Sequence, residues 1–483
     1  MLNVSDRYPR LANAIETCME LMELTAEELR WTQYATSQLN GIGLTDISAN
    51  VSVGINGDDD FHPHVDHVGN LNAWLSAAST NQDTCLEGLE GTQFRWVYNA
   101  FEHGMRRLTE SILHALSIAR QFDIMSVVPP SNGGDGGRKL LGDYNDFPRW
   151  IQVSDRRLLD LPVSQMPVNV TVALDGTGNF TKLTDAIASA PSDSHRRYVI
   201  YVKAGVYQEY VRIKKHKRYL VLVGDGADRT IITGNLSVRR NKITTYLTTT
   251  FGVTGRGIII RDMTFKNTAG PKMSQAVAFR SNSDLSVYYR CGFHGYQDTL
   301  YAHSLRQFYR NCTISGTVDF IFGNSAAVFQ NCKILLRKPL PGQKNTITAH
   351  GRLSASQTTG FSFQKCIIAG EPQLLADMKS TKSFLGRPWR PYSTTVFMQS
   401  YISDLIHPRG WVEWSGDYAL KTLYYAEYKN YGPGARLVGR VNWIGFHSIN
   451  TTSEMLNFTV DRLLHGSSWL PFTGVTYSLG LQT

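Results

Sequence analysis

The sequence predicts two architectures in series, an all-α region followed by a right-handed parallel β-helix. Three observations carry this reading. First, short strand-like phrases recur beyond residue 169: GIIIRDMTFKN, LSVYYRCGFHG, RQFYRNCTISG, AAVFQNCKIL and FSFQKCIIAG. Aligning their Met263, Cys291, Cys312, Cys332 and Cys366 gives steps of 28, 21, 20 and 34 residues, the signature of a coil of parallel strands. Second, apolar residues before position 125 recur at helical spacing. Third, the charge changes sign between the two parts. Residues 1–159 carry 12 basic and 21 acidic side chains, and residues 160–483 carry 37 and 19. The second part therefore attracts a polyanion, and the first part is attracted to the second.

The helical region comes first. Leu11, Ala14, Ile15, Cys18, Leu21 and Met22 give one apolar stripe and predict a helix over residues 10–40. Residues 41–69 break the pattern with NGIG, GINGDDD and HPHVDHVG and read as a long polar loop. His62, His64 and His67 within it read as a solvated insert rather than a metal site. Helix resumes over about 71–90, with Trp74 and Cys85, and over about 93–122, where Val97, Phe101, Met105, Leu108, Ile112 and Leu116 share a face. Such stripes call for a bundle, and a Cys18–Cys85 bond would staple its first helix to its second.

Residues 125–168 lose periodicity and form a linker rich in Pro and Gly. It holds two basic-Leu-Leu strings, RKLL at 138–141 and RRLL at 156–159, which fit protease cuts at the charge boundary. From residue 169 VTVALDG leads into a brief helix, NFTKLTDAIASAP, and then into the strands of the repeat. The aligned cysteines form an inward ladder that packs well as free thiols. Cys332 and Cys366 remain candidates for a second disulfide. The longer steps between coils mark loops that wall a groove.

The chemistry gathers in Gly295–Gly323, GYQDTLYAHSLRQFYRNCTISGTVDFIFG. Asp298 and Asp319 lie 21 residues apart, each seven residues after a ladder cysteine, so they occupy the same phase of neighbouring coils. Equal phase sets them roughly 5 Å apart, and two carboxyls that close cannot both ionise freely. One acid and one base then arise from identical side chains. The competing reading is two turn aspartates with satisfied hydrogen bonds. Around them, Gln275 and Gln297 offer amide donors for an oxyanion, and Arg387 in FLGRPWRPY can clasp a carboxylate. Trp389, Tyr301, Phe322 and Trp411 offer flat faces for sugars. The set suits hydrolysis of a glycoside or an ester.

Other chemistries lack their motifs. No GxSxG, HExxH, P-loop or GxGxxG before a helix occurs, and GDGADR at 224–229 lacks the Lys-Ser/Thr pair of a phosphate loop. No zinc spacing, cofactor motif, nucleic-acid motif or run of 18 apolar residues is present. Neither a metal, a cofactor, a nucleic acid nor a transmembrane segment is expected. An acidic polysaccharide fits the charge as well as a nucleic acid does. Eight N-x-S/T sequons give weak support for secretion.

The strings GYQDTLY, GTVDFIFGN, QKNTITAHGR, FLGRPW and GWVEWSGDYALKTLYYAEY resemble the plant pectin methylesterases, over about residues 169–481. The resemblance implies a β-helix esterase acting on methyl-esterified homogalacturonan. It implies Asp319 as nucleophile, Asp298 as acid and then base, Gln275 and Gln297 as stabilisers, and Arg387 with Trp389 in binding. Residues 10–122 resemble the inhibitor-like pro-region of the longer plant enzymes through AIETCMELMELTAEEL and WLSAASTNQDTCLEGL. That family bundle has four helices after a helical hairpin. The region is therefore expected to be an incomplete four-helix bundle whose first helices, with an export signal, are missing from this sequence.

The expected division is 1–124 inhibitor-like region, 125–168 processing linker and 169–483 esterase domain. Export to the cell wall, a monomeric state, inhibitor proteins and a processing protease as partners, and weak masking of the groove by the helices complete the expectations. The alternatives are a hydrolase or lyase that cuts the polymer backbone, and a non-catalytic wall-binding or inhibitor protein.

Overall fold

The computed structural model describes residues 8–40, 67–127 and 165–481. The linker strings at 138–141 and 156–159 lie outside them, as do His62 and His64.

Three helices occupy the N-terminal region: α1 (Pro9–Asn40), α2 (His67–Glu90) and α3 (Arg95–Val127). The polar loop expected over 41–69 overruns by three residues, because α2 already includes His67. Helix α3 runs three residues into the expected linker. A disulfide joins Cys18 on α1 to Cys85 on α2, the staple that the sequence offered as a candidate. Leu75 and Ala78 of α2 meet Ile112 and Leu116 of α3 in a small apolar cluster. The helices do not close a core by themselves. Leu11, Cys18, Leu21, Cys85 and Leu89 belong to one cluster with Tyr246, Val277, Tyr301 and Phe322 of the C-terminal region. Trp74 and Ala77 share another with Leu305. These apolar faces lean on the second domain.

That second domain is a right-handed β-helix of three parallel sheets, with eleven, seven and eight strands among the described residues. Its register confirms the repeat residue by residue. Gly292 N–H donates to Met263 O, Thr313 to Cys291 O, Lys333 to Cys312 O and Ile367 to Cys332 O, so the five aligned residues form one column. Each coil turns on the residue just before that column. Asp262, Arg290, Asn311, Asn331, Lys365 and Gln399 all have positive φ, between 52° and 59°. Asn and Asp adopt this left-handed conformation most readily among non-glycine residues, so NC at 311–312 and 331–332 marks the bend locally. A second column stacks rings inside the eleven-stranded sheet. Tyr288, Tyr309, Phe329, Phe363 and Phe397 follow one another at 4.8, 4.6, 4.6 and 4.5 Å between centroids.

The second disulfide candidate is corrected. Cys291, Cys312, Cys332 and Cys366 are all free and buried. Their thiols point into the coil towards backbone carbonyls, Cys366 Sγ to Phe329 O at 3.2 Å and Cys332 Sγ to Tyr309 O at 3.5 Å. The ladder is a packing device, and Ser400 continues it by accepting from Cys366 N–H at 3.0 Å.

The outer face of the eleven-stranded sheet is covered by a C-terminal tail that the repeat did not announce. Val460, Leu464, Trp469 and Leu470, carried by short helical turns, pack on Val199, Val221, Val287 and Phe308. The β-helix thus has a closed interior and its own outer cover, with no contribution from the N-terminal helices to either cluster.

Candidate active site

The two aspartates lie in the same turn of successive coils. Asp298 precedes the strand Leu300–Ala302, and Asp319 precedes the strand Ile321–Gly323. Leu300 pairs with Ile321 in parallel register, and Asp298 N–H donates to Val318 O at 3.1 Å. Both aspartates have positive φ, 61° and 51°, which turns the chain from one sheet to the next and fixes both side chains on the same edge. Asp tolerates that conformation because its short polar side chain bonds locally.

Their surroundings differ. Arg387 grips Asp319 with two bonds, Nε to Oδ1 at 2.8 Å and a terminal nitrogen to Oδ2 at 2.5 Å. The Thr346 hydroxyl donates to Asp319 Oδ1 at 2.7 Å and accepts from Asp319 N–H at 2.8 Å. Asp298 is buried beside this charge. Burial first, then the Asp319 carboxylate and then Glu87, push its carboxyl well above the ordinary range, with Arg387 opposing. The pair is thereby split into a carboxyl clasped by arginine and a neighbour whose burial favours its protonated form.

Sequence reasoning missed Thr346, although it stands at the same phase one coil after Asp319. Ile321 pairs with Thr348, which sets residue 319 opposite residue 346.

The aspartates open into a cavity of about 320 Å³ lined also by Gln275, Gln297, Arg387, Trp389, Tyr301 and Phe322. Eight of the nine predicted site residues therefore converge. Tyr301 and Phe322 stack at 4.1 Å and form a nearly buried floor. Trp411 does not reach the cavity. It is fully buried, stacked on Tyr425 at 4.1 Å, with its indole N–H 3.3 Å from Glu427. The sugar-facing role expected of it is corrected: in WVEW the second tryptophan is the one that lines the cavity, and Trp414 lies 4.3 Å from the Arg387 guanidinium. The loop residues Ser415 and Gly416 after Trp414 are the local sign that the chain is leaving the core there.

The cavity has a lid from the other domain. Arg10, Thr84, Glu87 and Gly88 form part of its lining. Helix α2 is buried along most of its length, yet its buried residues are largely Ala, Ser, Thr and Asn. Some of the polar ones bond to the coils, while Asn81 donates to Glu28 of α1 and Gln82 accepts from Thr109 of α3. Thr84 Oγ1 lies 2.8 Å from His303 Nε2, Asn324 donates to Thr80 Oγ1 at 2.9 Å, and Gln357 donates to Ser76 O at 3.2 Å. Trp74 Nε1 donates to Asp284 at 3.1 Å, which also holds Arg306. Ion pairs Arg390–Asp83 and Arg218–Glu27, both at 3.0 Å, join the contact, with longer ones from Lys215 to Glu27 and Glu23 and from Arg280 to Glu20. The charge asymmetry foresaw attraction, but most of the contact is a shared apolar and hydrogen-bonded surface.

Comparison with known proteins gives this site its class. The pectinesterase family model matches residues 169–467, and a plant invertase/pectin methylesterase inhibitor model matches residues 2–118. The chain belongs to the pectinesterase family, in the form that also carries an inhibitor-like region.

The probable pectinesterase/pectinesterase inhibitor 32 of Arabidopsis thaliana is 47% identical over 98% of this chain and 85% of its own length. The pectinesterase/pectinesterase inhibitor PPE8B of Prunus persica is 48% identical over 97% and 83%. Among solved structures, the pectin methylesterase from carrot aligns with 49% identity and a TM-score of 0.64, over 65% of this chain and 98% of its own. A free-standing protein therefore has this fold without the remaining third of the present chain. No helix among the described residues is long and apolar enough to cross a membrane.

Proposed function

We propose that this enzyme hydrolyses the methyl esters of galacturonate units in pectin, with Asp319 as nucleophile and Asp298 as acid and then base. The observation that carries the assignment is the asymmetry of the pair: Arg387 and Thr346 orient one carboxylate, and burial keeps the proton on the other. An Asp319 oxygen attacks the ester carbonyl carbon, and the developing oxyanion is met by the amides of Gln275 and Gln297. The carbon–methoxy bond breaks, and the Asp298 proton goes to the departing oxygen to give methanol. Asp298, now a carboxylate, takes a proton from water. The hydroxide adds to the acyl carbon, the bond to Asp319 breaks with Asp319 restored as a carboxylate, and the product leaves as the carboxylic acid, which then ionises. Trp389 and Trp414 present rings to the neighbouring sugars.

The helical region holds the site covered, and cleavage in the linker at RKLL or RRLL releases it. An acidic, methyl-esterified polysaccharide also explains the excess of positive charge on the second domain, and with the sequons it supports export to the cell wall.

The deciding experiment uses residues 165–483 produced alone. Pectin should release methanol and consume base with no loss of viscosity. Asp319→Asn should lower turnover at least roughly 10³-fold, with an unchanged circular dichroism spectrum. Near-normal turnover by that variant would sink the nucleophile assignment. New reducing ends or unsaturated products would favour the backbone-cutting alternative.

A further inference from the structure

Arg390 lies three residues beyond Arg387 in the same loop, between the strands Ser383–Gly386 and Thr394–Met398. Its guanidinium rests 5.3 Å from the Trp389 ring, which lines the cavity of the two aspartates. Arg387, Arg337 and Arg440 each have a carboxylate from their own domain, Asp319, Glu371 and Glu427, whereas Arg280 approaches Glu20 of α1 at 4.0 Å and Arg218 pairs with Glu27 of α1 at 3.0 Å. Arg390 makes a forked contact across the domains. Among the described residues the acid paired with it is Asp83, on helix α2, through Nε to Oδ2 at 3.0 Å and a terminal nitrogen to Oδ1 at 3.0 Å. Both side chains are mostly buried there, with 23% and 19% exposure. Glu87, one helical turn further along α2, lines the cavity itself.

A forked, two-bond contact with a guanidinium is the geometry of carboxylate recognition, and a neutral methyl ester cannot reproduce it. When the helices leave, the coil offers Arg390 no replacement among the described residues. The polymer does, because each completed turnover leaves a free carboxylate on the chain.

We propose that Arg390, backed by Trp389, is a carboxylate-binding subsite that selects a de-esterified galacturonate next to the unit being hydrolysed, and that Asp83 fills it while the helices are docked. Arg390 is then a specificity-determining residue, outside the acid–base pair. The inference rests on the esterase reading above.

The test uses residues 165–483 with wild-type sequence, Arg390→Gln and Arg390→Lys. Methanol release is followed on almost fully methylated and on sparsely methylated pectin. Arg390→Gln should raise KM for the sparsely methylated substrate roughly tenfold while leaving kcat and the KM for the fully methylated one within about twofold. Arg390→Lys should fall between, since it keeps the charge and loses the fork.

An equal KM rise on both substrates, or on neither, overturns the subsite. If the wild-type domain releases no methanol at all, the esterase reading has failed instead. Arg390 is then still decided by equilibrium binding of a fully de-esterified oligogalacturonide. The subsite requires roughly tenfold weaker binding by Arg390→Gln, and equal binding refutes it.

Discussion

The β-helix and the helical region satisfy their buried groups in opposite ways. In the β-helix, backbone ladders, ring stacks and the thiol column are repeated coil by coil, so every coil is completed by its neighbours and the tail closes the outside. In the helical region, α2 buries Ala, Ser and Thr, and Ser76, Thr80 and Thr84 find partners on the other domain. One domain is a finished solid, and the other is half of an interface. The chemistry sits on the finished one, where the position of an aspartate is set by register rather than by docking. The control proposed above would sit on the unfinished one.

Three measurements press on that difference. The largest effect concerns stability. Residues 8–127 produced alone should lose cooperative folding, because Leu11, Leu21, Trp74 and Leu89 would lose the apolar partners they have on the coil. Residues 165–483 alone should keep a sharp thermal transition. A cooperative melt from the isolated helices would break the comparison.

The next effect is on activity. Removing the helices should raise pectin turnover by at least roughly tenfold, since a docked lid must be displaced before substrate enters. Salt should change this factor only modestly, because the contact is mainly buried rather than surface ion pairing. Full activity of the uncut chain at low salt would refute the lid.

The smallest effect is on pH. Burial, then the nearby Asp83, push Glu87 up from 4.5 to about 7 against the pull of Arg390, and burial also raises Asp83. Glu90 adds to the push on Glu87, while Asp298 lies across the cavity and is itself raised. Carboxyls raised by docking bind protons more tightly in the docked state. Docking is therefore strongest in acid, weakens as pH rises from about 4.5, and levels off above about 7. In the intact chain the docking affinity, read as the turnover of residues 165–483 divided by that of the uncut chain, should fall several-fold between pH 5 and 8. Glu87→Gln should flatten much of that slope. A rising affinity with pH would reverse the sign and discard the explanation.

Much of this was legible in the sequence where the signal is local and repeated. Two of the bends before the ladder carry Asn-Cys, at 311–312 and 331–332, and equal phase places Asp298 beside Asp319 from the sequence alone. What escaped depends on which direction a side chain takes after its coil has ended. Trp411 and Trp414 sit three apart in one string, and only packing on Tyr425 decides that the first is core. Thr346 shares the phase of the aspartates but lies beyond a longer step, where counting residues no longer gives register. The polar character of α2 reads as a weakly amphipathic helix until the surface that answers its hydroxyls is present. Cys332 and Cys366 look like a pair by type, yet they stand in one column of a ladder that is filled by thiols.

The bond from Asp298 N–H to Val318 O ties the two aspartates together within a single 21-residue coil. Segments outside that coil can lengthen without disturbing it, as the 28- and 34-residue steps on either side already have. Groove walls and chemistry are therefore separately variable. A lineage can redraw which polymers enter by growing or trimming those outer loops, and the reacting pair inherits no error from the change. One residue inserted between Asp298 and Asp319 has no such freedom, because it would turn the second aspartate away from the first.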